Sequence, residues 1–547
     1  VTCHSLDLAG QAFPGADLSG ATLVRPKLDG VDLRGAKLAG LRLVGATACR
    51  ANLEGADLAE AAGGNVDLTG ASLREASLSN ARLVASTFKE ADLGGANLSN
   101  GTFSGGMFSG AILRGANLTQ ANLGGANLSS ADFIGALLEK TQFSSADLTG
   151  VSLRDARLVG TSFVHAKINR VDLTDASADR AIFVGADLRG TRLPRSLPGC
   201  VFIDAVLTDP GEGADLEGRD LTSAVLLGLD LSGANLRGAN LTGAVLQGAN
   251  LTGADLSGAN LRRAVLHQAK LPGVDLSGHD LEMTLLTEAD VSGVSFEGAR
   301  LHMTVLQKAN LTSSRFTKAS LSKVLMRGAT IEGATFDRAS LTLVDFGEMN
   351  LTGLVLRGLS LTRCCFMEAD MHSMDLRGCD FTDSNFTKCN LSGATLEGAI
   401  LFRATLLEAN LSLADLGGVQ AKAAFFGEAV LEKTKLSKSM LRYATFSRAT
   451  INQVSFAASD LRESIWTDTT VTGSSFYAAP LNYADLSNVR LVRCDLTAAN
   501  LTHANLHGLQ ESDVTWADAV VVGTRRTDRD RLEAETYRPP NPPPSPP

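Results

Sequence analysis

Apolar and polar positions alternate along this chain with a period of five. Ala16-Asp17-Leu18-Ser19-Gly20 returns as Ala116-Asn117-Leu118-Thr119-Gln120 and again as Ala254-Asp255-Leu256-Ser257-Gly258. The unit is Ala, then Asp or Asn, then Leu or Phe, then Ser, Thr or Arg, then often Gly. With the Leu or Phe taken as the centre, the Ala two residues earlier lies on the same side of an extended segment, and the Asp or Asn between them lies on the other. Ala and the centre therefore face a core, while the acidic or amide residue faces water. Gly after the centre tolerates the backbone conformations that a corner requires. A fixed internal period marks a repeat architecture, in which each unit buries its apolar face by stacking on its neighbours.

A longer period is laid over the short one. In the second half, aromatic centres recur twenty residues apart as Phe296, Phe316 and Phe336, then Phe456, Phe476 and Trp516. A second series, Phe346, Phe366 and Phe386, then Phe426, Phe446 and Trp466, is offset by ten. Four quintets thus return the chain to the same face, and the offset puts the two series on opposite faces of a square. Rings stacked in this way are core features.

The quintets resemble the pentapeptide-repeat family, whose pattern is A(D/N)LXX, over nearly the whole chain. The resemblance implies an all-β fold, a right-handed quadrilateral β-helix with four quintets per coil. Backbone groups would bond between successive coils, leaving edges only at the two ends. The expected rod has roughly 24 coils and a length on the order of 115 Å at about 4.8 Å per coil.

Centres keep one frame from Leu8 to Leu193 and another from Leu216 to Leu506. We therefore expect a first solenoid segment over 1–193, an interruption over 194–215, a second segment over 216–520, and a short capping helix with a Pro-rich disordered tail over 521–547. Within the interruption Phe202 and Leu207 read as centres, so the steps are nine, five and nine residues. Each long step then carries a protruding loop, one near Pro194–Gly199 and one near Thr208–Gly213, rich in turn formers. Arg195, Ser196, Leu197, Asp209 and Glu212 are the candidate loop residues for binding; a hinge between two solenoids is the alternative. Thr527 is a candidate cap for the helix.

Aromatic residues make up only 5% of the chain, and Leu and Ala carry most of its apolar content. That suits a narrow core better than a broad one. The formal net charge of −9 is modest for 547 residues and points away from a nucleic-acid partner. No apolar run approaches the roughly 20 residues that span a bilayer. The eight Cys are scattered, and Cys364, Cys379, Cys389 and Cys494 stand where the repeat usually has Ala, so they read as small buried hydrophobes. With no disulfide framework and no signal-peptide pattern at the N-terminus, a reducing bacterial cytoplasm is the expected location.

Catalytic chemistry is missing from the pattern. The eight His are dispersed, no Gly-rich loop opens a helix, and no metal-ligand spacing occurs. We expect no enzyme, no cofactor and no metal. The exception to the polar exterior is the position before the centre on one face, occupied by Val225, Val245, Val265, Leu285, Val305 and Leu325 at intervals of twenty. β-Branched residues suit a β ladder, but a contiguous exposed apolar column also marks a protein interface. Further on, inward small positions become Met349, Leu354, Leu359, Cys364 and Met374, which should widen or distort the coils.

Three functions follow. The first is a non-catalytic scaffold, a rigid rod that docks a protein partner or a second copy of itself. The second is implied by the resemblance, since some members of the family mimic DNA and bind type II topoisomerases; Lys37 between Asp17 and Asp57, and Lys27 between Asp7 and Thr47, interrupt the charge rows such a mimic needs. The third is the repeat region of a larger bacterial secretion-apparatus or effector-loading protein.

Overall fold

The computed structural model describes residues 1–207 and 213–536. The chain divides into two compact units, Val1–Asp275 and Leu276–Pro547. Each is a four-sided β-solenoid of parallel strands with a register of twenty. In the first unit Thr2–His4, Thr22–Val24, Arg42–Val44, Ala62–Gly64 and Arg82–Val84 form one five-stranded parallel sheet, with Thr2 opposite Thr22 and Leu23 opposite Leu43. In the second unit Val430–Glu432 through Gln510–Ser512 form another, with Val430 opposite Thr450. Arg300–His302, Ser320–Ser322, Ser340–Thr342 and Leu361–Thr362 form a four-stranded parallel sheet in the same unit, and elsewhere the contact shrinks to single parallel bridges, many at the Asp/Asn position, such as Asn97–Asn117 and Asn390–Asn410.

The Asp or Asn of the repeat fixes that bridge locally. Its side-chain oxygen accepts the N–H of the residue two further on, as Asp67 does from Thr69 at 3.0 Å, while the Thr69 hydroxyl donates to the same oxygen at 2.6 Å. Asp-Leu-Thr and Asn-Leu-Thr are therefore self-bracing turns. Across coils, amides ladder onto carboxylates, as Asn310 Nδ2 does onto Asp290 at 3.0 Å.

The core is Ala and Leu with aromatic stacks. Phe296, Phe316 and Phe336 stack at 4.8 and 4.9 Å, and Phe426, Phe446 and Trp466 at 4.9 and 4.3 Å. Rings from opposite walls meet edge-on, Phe446 against Phe456 at 5.7 Å, so the interior is one ring deep from either side. Where Ser or Thr replaces the inward Ala, its hydroxyl donates to a carbonyl in the neighbouring coil, as Thr304 does to Leu281 at 2.8 Å. Cys364, Cys379, Cys389 and Cys494 are buried, and all eight Cys are free. Burial pushes the Cys364 thiol up to about 12 and the Cys379 thiol up to about 11, which makes both poor nucleophiles.

The interruption differs from its expected form. Leu197 is fully buried and serves as a centre between Leu193 and Phe202. Its N–H donates to the Asp220 carbonyl at 2.7 Å, and Ser196 bridges Asp220. The Pro194–Gly199 segment is thus an ordinary coil wall and not a protruding loop: the chain drops one residue between Leu193 and Leu197. The coil step shortens to nineteen, Ile182 to Val201, and then lengthens to twenty-four, Val201 to Val225. Phe183 and Phe202 still stack at 4.9 Å, because the deletion falls at a corner and leaves the inward positions in line. Arg195 and Ser196 lie exposed on this wall. Asp209 and Glu212, on the second expected loop, lie outside the described residues, as does the Pro-rich tail.

Of the large inward residues in the second unit, Leu354 lies where the ladder opens, while Asn350, Cys365 and Asp375 beside Met349, Cys364 and Met374 keep bridges to the following coil. Val355 bridges neither neighbouring coil and is 71% exposed, with Leu354 behind it. The helix runs Arg529–Thr536. Its cap is Asp528, whose Oδ1 accepts from the Asp530 and Arg531 N–H groups at 3.1 and 3.2 Å. Thr527 instead accepts the Gly508 N–H at 3.3 Å. None of the helix residues is buried, so it seals no core. It is tied down by His507, which receives the Asp528 N–H on Nδ1 at 3.2 Å and meets Glu535 at 3.3 Å.

Candidate docking surface

The exterior of each solenoid is set by the residue before each centre. Where that residue is Asp or Asn it braces the turn; Val or Leu carries no acceptor for that bond. An apolar residue at this position gives up a local hydrogen bond and places its side chain outside the core.

In the first unit the column is Val225, Val245 and Val265, bridged in sequence and half-buried. It extends further back than the period of twenty indicated. Val201 bridges Val225, and Ile182 bridges Val201. Both were hidden by the one-residue deletion and the longer insertion after it, which break the arithmetic without breaking the ladder.

In the second unit Leu285, Val305 and Leu325 are bridged in sequence and end against Asp345. Here the column is more open, with Leu285 37% and Leu325 43% exposed. A neighbouring column widens it. Met283 and Met303 stand at the corner positions, with φ of 57° and 54°, and are 39% and 45% exposed. Gly, or more often in this unit a polar or charged residue, occupies such a left-handed corner, and a Met there projects an apolar chain into water. The signal was present in the sequence as a Met where the repeat prefers Gly. Gln307, two residues after Val305, is half-buried, as are Leu227 and His267, two residues after Val225 and Val265 in the first unit.

Among the described residues no group of His, Cys, Asp and Glu is placed to hold a metal ion, and no helix is long and apolar enough to cross a membrane. His279 occupies an inward position and is buried, with Nδ1 3.2 Å from the Ser277 carbonyl. Charge alternates along the first unit's ladders: Asp17, Lys37 and Asp57 are bridged in that order, and Lys27 lies 3.8 Å from Asp7.

The sequence matches the model of pentapeptide repeats in eight copies over residues 3–61, 64–193, 212–278, 304–342, 345–418 and 479–510. Among solved structures, HetL, a pentapeptide repeat protein involved in heterocyst differentiation regulation from the cyanobacterium Nostoc sp. strain PCC 7120, is 30% identical, with 45% of this chain and 90% of that one covered and a TM-score of 0.16. QnrB1, a plasmid-mediated fluoroquinolone resistance protein, is 21% identical in its full-length structure, with 38% and 94% covered and a TM-score of 0.24. A pentapeptide repeat protein from the Arabidopsis thaliana thylakoid lumen is 26% identical, with 27% and 69% covered and a TM-score of 0.09. No curated protein matches the chain. Repeat, register and family model agree, and the chain belongs to the pentapeptide-repeat family.

Proposed function

We propose that the chain is a non-catalytic scaffold whose outer columns dock a protein. The observation that carries this is the second unit's aliphatic patch: Leu285, Val305 and Leu325 stand where the repeat uses Asp or Asn, beside Met283 and Met303 where it uses Gly or a polar residue. Five apolar side chains gathered at positions the repeat otherwise keeps polar or bare make a contiguous patch of the kind that a partner or a second copy covers. The alternating charges of the Asp17–Lys37–Asp57 ladder speak against a mimic of duplex DNA.

The test replaces Leu285, Val305 and Leu325 together with Thr in the full chain. Thr keeps or adds β-branching and removes apolar surface, so the fold survives. Sedimentation velocity on the purified protein reads self-association, and affinity capture from the native host followed by purified binding reads a different partner. Weakened association with an unchanged unfolding transition is expected. Unchanged oligomeric state and unchanged affinity for every captured protein would reduce the column to ladder packing.

A further inference from the structure

We infer that a corner ridge of the second unit, built around Lys422, Tyr443 and Tyr483, docks a protein segment that presents an acidic side chain beside an apolar one. This rests on the scaffold reading and adds a partner chemistry to it. The ladder that begins at Leu285 runs without a break from Leu325 through Asp345, Cys365, Asn385 and Thr405 to Phe425, Thr445 and Ile465. The ridge therefore stands on the same edge as the aliphatic patch, beyond a polar gap.

Two features mark the ridge. The first is the presence of rings at its corners. Tyr443 and Tyr483 occupy left-handed corners, with φ of 64° and 61°, and are 39% and 62% exposed. Residues other than Gly hold this conformation at many corners of the chain, so what distinguishes these two is the ring each presents to solvent. The chain has four Tyr in 547 residues, so the placement of two of them at successive alternate corners of one edge is selective.

The second is the pairing of aromatic faces with cations. The Lys422 ammonium lies 5.7 Å from the Tyr443 ring centroid and the Arg442 guanidinium 4.8 Å from it. Arg403 lies 4.9 Å over Phe402, and Tyr483 stacks on His503 at 5.0 Å. Arg403 is bonded to Asp383 at 2.6 Å, Arg462 to Asp460 at 2.6 Å, and Arg442 to Glu463 through Nε at 3.0 Å. Lys422 forms no ion pair among the described residues and is exposed. In a chain of net charge −9 this edge offers a free ammonium on an aromatic platform, and a carboxylate is its complement.

An apolar subsite lies alongside. Phe425 and Ile465 are 39% and 40% exposed, with the smaller Thr445 between them on the ladder. Two coil spacings make a notch about 10 Å wide, enough for one aliphatic or aromatic side chain. A single-stranded nucleic acid also stacks on rings and seeks cations, but Asp383, Asp460 and Glu463 neutralise three of the four cations, and the one unpaired ammonium suits a single carboxylate and not a row of phosphates.

The test pans a random peptide display library on the immobilised full chain and measures the selected peptides in solution. Peptides enriched in Asp or Glu next to an aromatic or aliphatic residue are expected. Their affinity should fall at least about tenfold in Lys422→Glu and in the double variant Tyr443→Gly, Tyr483→Gly, and should weaken with added salt. Gly suits a left-handed corner, so the double variant folds, which circular dichroism checks. The Leu285, Val305 and Leu325 to Thr variant should bind these peptides unchanged. No enrichment, enrichment of peptides without acidic residues, full affinity in the ridge variants, or displacement of the peptides by a single-stranded oligothymidylate each overturns the inference. If the Thr variant loses its association while the ridge variants keep theirs, the scaffold reading stands and this inference alone fails.

Discussion

The Thr141 hydroxyl donates to the Leu118 carbonyl at 2.7 Å, from an inward position of one coil to the wall of the coil before it. The same carbonyl also accepts the Ala121 N–H at 2.8 Å. Removing the hydroxyl with Thr141→Val therefore leaves the carbonyl with one partner and a volume almost unchanged. The expected loss is about 1 kcal/mol, smaller than for a carbonyl left bare. Stability in a repeat array is largely local, so the loss should appear as faster native-state hydrogen exchange in the coils around Thr141. Exchange as slow as in the parent chain would show that the bond contributes nothing.

Gly101 and Phe103 make the opposite case, where the inward small position must be empty. A Cβ at Gly101 would fall 2.7 Å from Phe103 Cζ and 3.0 Å from the Leu98 carbonyl oxygen. Gly101→Ala should cost about 1–3 kcal/mol by overpacking. Adding Phe103→Leu removes the ring and should recover part of that cost, a coupling that a double-mutant cycle on the denaturant midpoint reads. Additive single effects would mean that the backbone, and not the ring, resists the methyl group.

Asp375 carries a small pH dependence of known sign. Hydrogen bonds from Arg377, whose guanidinium lies 2.7 Å away, hold its carboxyl down to about 2, against the opposing effect of desolvation. A depressed carboxylate contributes stability above the unfolded value near 4 and loses it as pH falls through about 2. The pair is 41% exposed on each side, so solvent screening keeps the effect below about 1 kcal/mol. Arg377→Met should cost that small amount at pH 7, with the loss shrinking as pH falls from 4 to 2, so that the acid limb of stability flattens. A larger loss at pH 3 than at pH 7 would contradict the sign.

Most of this architecture can be read from residues alone because one rule repeats. Leu256 and Ala254 point inward for the same reason as Leu18 and Ala16, and the spacing of Phe296, Phe316 and Phe336 gives the coil its four sides. The interruption was harder. Leu197 looked like loop between two prolines because the frame was counted in fives, and a step of four breaks the count while the hydrophobic register survives. The surface was harder still. Val225 and Leu325 occupy equivalent repeat positions, yet Val225 is half-buried and Leu325 is 43% exposed. Exposure there depends on side chains twenty residues away on either side. The rings of Tyr443 and Tyr483 leave no mark in the five-residue pattern, because the corner position tolerates Gly and many other side chains alike.

The scaffold reading comes down to whether the Leu285–Leu325 edge is touched by another protein. A photo-crosslinking amino acid placed at Leu325 in the full chain, in the native host, reports that contact directly. The same group at Glu332, an exposed residue on a different face, is the control. Docking predicts a discrete crosslinked product at Leu325, either a second copy or one other protein, and none at Glu332. No product at Leu325, or the same products from both positions, would contradict the account.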